Sequence, residues 1–177
     1  LVEIALLHRF TLHLGHPIHS LRVVLFALLL ASGVGSLLSG RVRSPAGVLK
    51  LQLAAAAGVI ALVVIYAFTL GPMLSATMGW SLTGRVSLAA LLVGLPGLLM
   101  GMLLPSAIRL LALRHKEIIP WAWGLNGAAS VFGSVLAMVV AIHLGFTVAL
   151  LTGAAAYAVA ILLALRKAPE AEENSEE

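Results

Sequence analysis

The sequence predicts an all-α polytopic transmembrane bundle with five full spans and one partial N-terminal helix. Of the 177 residues, 61% are hydrophobic and 10% are charged, whereas roughly a quarter of the residues in a soluble domain are charged. Five apolar runs are each long enough to supply the about 20 residues that a helix needs to cross a bilayer. Basic residues recur at the ends of these runs, which is typical of membrane topology.

The first apolar run, residues 1–14, is too short to span a bilayer. It begins in mid-run at Leu1, and we interpret it as the trailing part of a helix whose beginning lies outside this chain. The full spans are predicted at about residues 18–38, 48–70, 86–104, 121–144 and 147–165. Together these segments form a transmembrane helical domain over residues 1–167.

The last ten residues, 168–177, are polar and acidic. Such a segment cannot bury enough apolar area to fold alone. It is therefore predicted to be a disordered acidic tail.

The basic residues indicate which ends of the spans face the cytoplasm, because Lys and Arg are retained on that side. They fall in two connections and at the end of the last span: Arg41, Arg43 and Lys50; Arg109, Arg114 and Lys116; Arg166 and Lys167. The connection 71–84 and the turn at Gly145 carry no charge, so both are predicted to face outward. The pattern predicts a multi-pass protein of the cell inner membrane with a cytoplasmic C-terminus.

Composition also excludes several chemistries. The chain has no Cys and no Asp, so it contains no disulfide, thiolate metal site or catalytic aspartate. No GxGxxG, P-loop, HExxH or GxSxG motif is present. The basic residues do not form one stripe with interleaved aromatic residues, so nucleic acid binding is not predicted. The chain is therefore predicted not to be an enzyme.

Three polar side chains are candidates for intramembrane function: Glu3, Arg9 and Asn126. Glu3 lies in an apolar run, and the residues three and four positions later are Leu6 and Leu7, so no cation on the same helix faces it. It needs a partner from another helix or a protonated carboxyl group. Two interpretations stay open, a polar seam that only holds helices together and a functional group.

A second candidate site consists of histidines that the topology places on the outer side: His13, His16, His19 and His143. Imidazole groups can ligate haem or a chlorin and can hydrogen-bond a quinone. Gly15 and Pro17 interrupt the helix, so the first three do not share one continuous helical face. A structural role at the membrane interface is the alternative. No carboxylates accompany these histidines, so no metal site is predicted, and the sequence requires no cofactor.

Small residues mark the predicted helix contacts. Gly97 and Gly101 form a GxxxG motif, and a second small-residue face contains Gly124, Gly127 and Gly133. Such faces allow two helix backbones to approach closely. Pro96 is predicted to kink its helix.

Two stretches of the chain are distinctive: LVEIALLHRFTLHLGHP with the following VVLFALLLASGVGSLLSGR, and IPWAWGLNGAASVFGSVLAMVVAIHLGF. They resemble the C-terminal membrane region of bacterial spermidine synthase-like polytopic membrane proteins. The matching positions are Glu3, Arg9, Gly15, His16 and Pro17, and Trp121, Trp123, Asn126, Gly127 and Gly133. In that family a Rossmann-type transferase domain accompanies many transmembrane helices. This chain departs from the family in having no nucleotide-binding domain, so the resemblance does not imply transferase activity here.

Three hypotheses of function follow. The first is a non-catalytic membrane module that serves anchoring or assembly, with the lipid bilayer and other membrane subunits, or a missing N-terminal part of the same protein, as partners. The second is an accessory subunit of a redox or photosynthetic membrane complex that contacts haem, chlorin or quinone through the outer histidines. The third is a small-molecule, polyamine-like transporter with Glu3 as its cation site.

Overall fold

A computed structural model of the chain describes residues 1–173. The predicted all-α class is confirmed, since these residues form six α-helices, one short 3-10 turn and no strand. The helices are α1 (Val2–Leu14), α2 (Pro17–Ser39), α3 (Pro45–Ala76), α4 (Leu82–Arg114), α5 (Ile119–Leu144) and α6 (Phe146–Glu173), and the 3-10 turn is Lys116–Ile118.

Five of these helices are long and apolar enough to cross a membrane. The candidate spans are Pro17–Ser39, Pro45–Ala76, Leu82–Leu113, Lys116–Leu144 and Phe146–Leu165. All five predicted spans are present, but several are longer than predicted. In particular, α4 continues past its predicted end at residue 104, through Pro105 and as far as Arg114. Prolines are tolerated in membrane helices when neighbouring groups satisfy the freed backbone atoms.

The last helix also extends further than the sequence indicated. Residues 168–173, which were predicted to be part of a disordered tail, continue α6 to Glu173. Alanine and glutamate are good helix formers, so the helix propagates beyond the apolar segment. Residues 174–177 of the predicted tail lie outside the described residues.

Local sequence explains where several helices begin and end. Proline occupies the first turn of α2, α3 and α5, where its missing N–H costs nothing. The hydroxyl groups of Ser44 and Ser81 accept hydrogen bonds from the backbone N–H of Gly47 and Gly84 and so cap α3 and α4. Gly15, with φ 74°, ends α1 in the left-handed conformation that favours glycine.

The short helix α1 lies in the centre of the bundle. It contacts all five longer helices. The side chains of Ala5, Leu6 and Phe10 are fully buried. They pack against a core that includes Val59 and Val63 of α3. Although α1 is too short to span a bilayer, its burial makes it part of the fold.

Helices α2 and α4 approach each other at their backbones. A Cβ atom on Gly35 would overlap the carbonyl oxygen of Leu98, and one on Gly101 would overlap the carbonyl oxygen of Ser32. Gly97, the other glycine of the predicted GxxxG motif, lies against Leu28. The packing role predicted for this motif is confirmed.

Two arginines of α4 cap neighbouring helices at opposite ends of the bundle. Arg85 Nη1 donates a 2.9 Å hydrogen bond to the carbonyl oxygen of His13, in the last turn of α1. Arg109 Nη2 donates a 2.7 Å hydrogen bond to the carbonyl oxygen of Ser39, at the end of α2, and its Nη1 donates to that of Val42 at 3.2 Å. Cations are favourable at helix C-termini, where carbonyl groups lack helical partners.

The two ends of the bundle can be named by their residues. The end that carries His13, His16, His19 and His143 is called the histidine end, and the end that carries Arg41, Arg43, Lys50 and Arg109 is called the basic end. The positions of Arg85 and Arg109 are 24 residues apart on one helix, which corresponds to about 36 Å.

Candidate functional site

The described residues form a cleft of about 610 Å³ in the half of the bundle nearer the basic end. Helices α3, α4, α5 and α6 form its walls, and the first turn of α1 closes it near the middle of the bundle. Six polar side chains line it among apolar ones: Glu3, Gln52, Asn126, Ser130, Ser134 and Tyr157. We call this cavity the polar cleft.

The first turn of α1 reaches the cleft because two small residues make room for it. A Cβ atom on Gly153 would lie 2.6 Å from a methyl carbon of Val2, and one on Gly133 would lie 3.8 Å from the backbone nitrogen of Leu1. Glu3 lies in this turn, where its exposed side chain lines the polar cleft. From there the cleft extends along α6 as far as Ala164.

Four of the six polar side chains that line the cleft are available to bind a ligand. Ser130 and Ser134 donate hydrogen bonds to the backbone carbonyl groups one turn earlier, at 2.7 and 2.8 Å. Within the described part of the chain, the side chains of Glu3, Gln52 and Asn126 form no hydrogen bond, and neither does that of Tyr157. Free acceptors in an apolar bundle are typical of a binding site.

The structure brings together two of the three predicted intramembrane polar residues. Glu3 and Asn126 line the same cleft, whereas Arg9 lies elsewhere on α1. The Arg9 guanidinium carbon lies 5.4 Å from the centre of the Phe146 ring, an arrangement that stabilises a cation in an apolar setting. Arg9 is therefore not the partner of Glu3.

Four of the six polar residues of the cleft were not among the predicted site residues: Gln52, Ser130, Ser134 and Tyr157. Each is a polar residue inside an apolar span. A polar residue within an apolar span can be recognised in the sequence. A lone polar residue such as Gln or Tyr does not, however, indicate which neighbouring helix it faces. Only the order of helices around the cleft relates them to Glu3.

The candidate histidines have different surroundings. The rings of His16 and His19 are 5.3 Å apart in an edge-on arrangement. His143 Nδ1 lies 2.9 Å from the carbonyl oxygen of Val139, one turn earlier in its own helix. Among the side chains that the structure describes, no three His, Cys, Asp or Glu residues are arranged to hold a metal ion.

His13 differs from the other candidate histidines because it is 1% exposed. Burial and the nearby positive charge of Arg85 lower the pKa of His13, and the Leu74 backbone opposes this shift in part. Among the described residues, neither ring nitrogen has a partner with good hydrogen-bond geometry. A neutral ring therefore fits this position better than a charged one.

Five long apolar helices around a central short helix form the architecture of a multi-pass membrane protein. Comparisons of the chain with protein-family models, with curated proteins and with solved structures find no match. The resemblance to the spermidine synthase-like membrane region therefore stays a prediction.

Proposed function

We propose that this chain is a non-catalytic integral membrane module that assembles with a transmembrane helix of a partner subunit. The observation that supports this function is the exposure of α5 in its first half. Residues 123–132 are all exposed, and the buried residues of this helix, Ala137 and Ala141, both lie in its other half. Nearly half of a candidate membrane span therefore has few neighbours within the bundle.

The side of α5 that faces away from the polar cleft has the composition of a helix contact. It consists of Gly124, Gly127, Ala128, Val131 and Val135, which we call the outer α5 face. Gly124 and Ala128 have the same spacing as Gly97 and Gly101, which α4 uses to approach α2. Among the described residues, no atom beyond the adjoining residues and the backbone of α5 itself lies within 4 Å of a Cβ position on Gly124 or Gly127. The spacing that allows α4 to pack closely against α2 is therefore present on the outer α5 face, where no described part of the chain covers it.

The environment indicates what kind of element fits the outer α5 face. In hydrocarbon, backbone groups must be satisfied within their own segment, so a lipid-exposed partner at this depth is a helix. Small residues favour a helix that approaches by its backbone, with van der Waals contact as the driving force. A partner transmembrane helix meets both conditions.

The proposal includes the orientation and the family. The basic end faces the cytoplasm of a bacterial cell, as the retention of Lys and Arg predicts, and the module lies in the inner membrane. On the resemblance of its two motifs, it corresponds to the membrane part of a spermidine synthase-like protein. A tag placed after Glu177 is then protected from protease added outside intact cells, and its cleavage would contradict this orientation.

Assembly is tested by native mass spectrometry of the full chain extracted from its own membranes in lipid nanodiscs. Two matched variants separate the outer α5 face from general lipid-facing surface, Gly127→Leu and Gly33→Leu. Both glycines face open space, but Gly33 lies on α2. We expect a stoichiometric complex with one further membrane subunit that is lost in Gly127→Leu and retained in Gly33→Leu.

Three results would overturn this function: a chain that runs at the mass of a single protein, a complex that survives in Gly127→Leu, or an added mass equal to that of a second copy of the chain. The last result would show self-assembly instead of a partner subunit.

A further inference from the structure

We propose that the polar cleft binds the primary ammonium group of a straight-chain alkyl amine, with the Glu3 carboxylate as its counter-ion. This binding is separate from assembly through the outer α5 face, because the residues that line the cleft lie on the opposite side of α5. The charge, the free acceptors and the shape of the cleft each favour this ligand.

The charge of the cleft selects a cation. Glu3 is the only acidic side chain among the lining residues, and no Lys, Arg or His side chain lines the cleft with it. A carboxylate in a membrane interior is costly unless it is paired or protonated. An anionic ligand would be repelled by the Glu3 carboxylate, and a neutral one would not form an ion pair with it.

The free acceptors suit an ammonium group, which has three N–H donors and no acceptor. One donor can pair with the Glu3 carboxylate, which forms no ion pair within the described residues. The amide oxygens of Gln52 and Asn126 and the hydroxyl oxygen of Tyr157 are acceptors along the same cleft. An alkyl amine remains protonated near neutral pH, because amines of this type have pKa values near 10.

The shape and the remaining lining favour an aliphatic chain behind the ammonium group. A volume of about 610 Å³ lies within the range of small-molecule sites, and the apolar lining includes Leu53, Leu103 and Ile161. From Gly153 to Ala164 the cleft follows α6 for about 16 Å, given the helical rise of 1.5 Å per residue. A bare metal ion would leave this apolar surface unused, and a single carboxylate is too few ligands for one.

The test uses a photoreactive dodecylamine and a photoreactive dodecanol that differ only in the head group. Each probe is added to the full chain in nanodiscs, irradiated, and mapped by mass spectrometry of the labelled peptides. We expect the amine to label the cleft segments 49–56 and 153–164 at least about tenfold more than the alcohol does. Empty nanodiscs correct for probe that only partitions into lipid.

Substitutions of two acidic residues test the role of Glu3. Glu3→Gln keeps the size of the side chain and removes its charge, and we expect it to abolish the preference for the amine. Glu117→Gln is the matched control, because Glu117 lies in the 3-10 turn with a side chain 75% exposed, and it should label as the parent chain does.

A third variant keeps the proposal testable if Glu3→Gln fails to fold. Ala156→Phe places a ring at a lining position of α6 and should reduce labelling by the amine while Glu3 remains. Equal labelling by amine and alcohol, unchanged labelling in Glu3→Gln, or no label in the cleft segments would each overturn the proposal. Gly127→Leu should bind the amine normally, so failure of the assembly function is distinguishable from failure of this site.

Discussion

The hydroxyl group of Tyr66 donates a 2.8 Å hydrogen bond to the carbonyl oxygen of Leu92. In a regular helix that carbonyl would accept from the residue four positions later, which is Pro96 and has no N–H. A side chain of α3 therefore satisfies the backbone group that a proline frees in α4. The bond explains how a fully buried Pro96 is accommodated in the middle of a candidate membrane span.

Removing this hydroxyl group should destabilise the bundle. We expect Tyr66→Phe to lower the free energy of unfolding by about 1 to 2 kcal/mol, because a buried carbonyl loses its partner. The measurement is unfolding by SDS in mixed micelles, followed by circular dichroism. Tyr157→Phe is the matched control and should change little, since the Tyr157 hydroxyl forms no hydrogen bond with the described residues.

A double-mutant cycle tests the cause more directly. Pro96→Ala restores a backbone N–H that can serve the Leu92 carbonyl. In that background, Tyr66→Phe should cost under about 0.5 kcal/mol. An equal cost in both backgrounds would mean that the hydroxyl stabilises the bundle in another way.

The contact between α2 and α4 predicts a large effect for a small substitution. A methyl group at Gly101 would meet the backbone of Ser32, so the two helices must move apart. We expect Gly101→Ala to destabilise the protein by about 1 to 3 kcal/mol in the same unfolding experiment. Gly33→Ala, where nothing lies within 4 Å, should change stability by less than about 0.5 kcal/mol, and a similar loss in both variants would contradict the packing argument.

The Arg109 cap can be separated from the general effect of a positive charge. Arg109→Met removes two hydrogen bonds to carbonyl oxygens near the end of α2, and we expect a loss of about 1 to 2 kcal/mol in thermal unfolding in micelles. Arg41→Met removes the same charge from an exposed position at the basic end. If both variants lose the same stability, net charge and not capping is responsible.

Stability should fall in mild acid because of His13. Helix α1 is not one of the candidate spans, and the pKa of its His13 is lowered in the folded chain from an ordinary value of 6.5. Below about pH 6.5 the unfolded chain binds a proton that the folded chain does not. The contribution of His13 is therefore complete above that pH and is lost progressively as the pH drops toward the folded-state pKa.

The check is to compare unfolding at pH 7.5 and pH 5.5 in the parent chain and in His13→Leu. We expect the difference between the two pH values to shrink in the variant. His19→Leu serves as the control, because His19 is exposed, and it should keep the pH dependence of the parent chain. A pH dependence that persists unchanged in His13→Leu would rule out this group as its source.

Much of the fold was predictable because hydropathy alone marks membrane spans. The five spans and the packing of the Gly97 and Gly101 face follow from composition and spacing. The ends were less accurate, as in α4, where the residues from 106 to 112 are still buried or partly buried. The spacing of residues along the sequence does not indicate such burial against other helices.

The site was less predictable because it depends on which helices are neighbours. Glu3 and Asn126 are far apart in sequence, and they line the same cleft only because α1 and α5 are neighbours in the bundle. Pro96 was predicted to kink its helix, but the hydroxyl group that bonds the freed Leu92 carbonyl belongs to Tyr66, 26 residues away in the chain. Arg85 and Arg109 have a local signal as charges at span ends, whereas the helix ends that they cap belong to α1 and α2.

The two capping arginines also relate the protein to the thickness of its membrane. Each guanidinium group is fixed to a neighbouring helix end, about 36 Å apart along α4, while a typical hydrocarbon core is about 30 Å thick. Because these caps fix α4 to α1 and α2, a thinner bilayer would tilt the three helices together and not α4 alone. The bundle should therefore respond to hydrophobic mismatch as one unit.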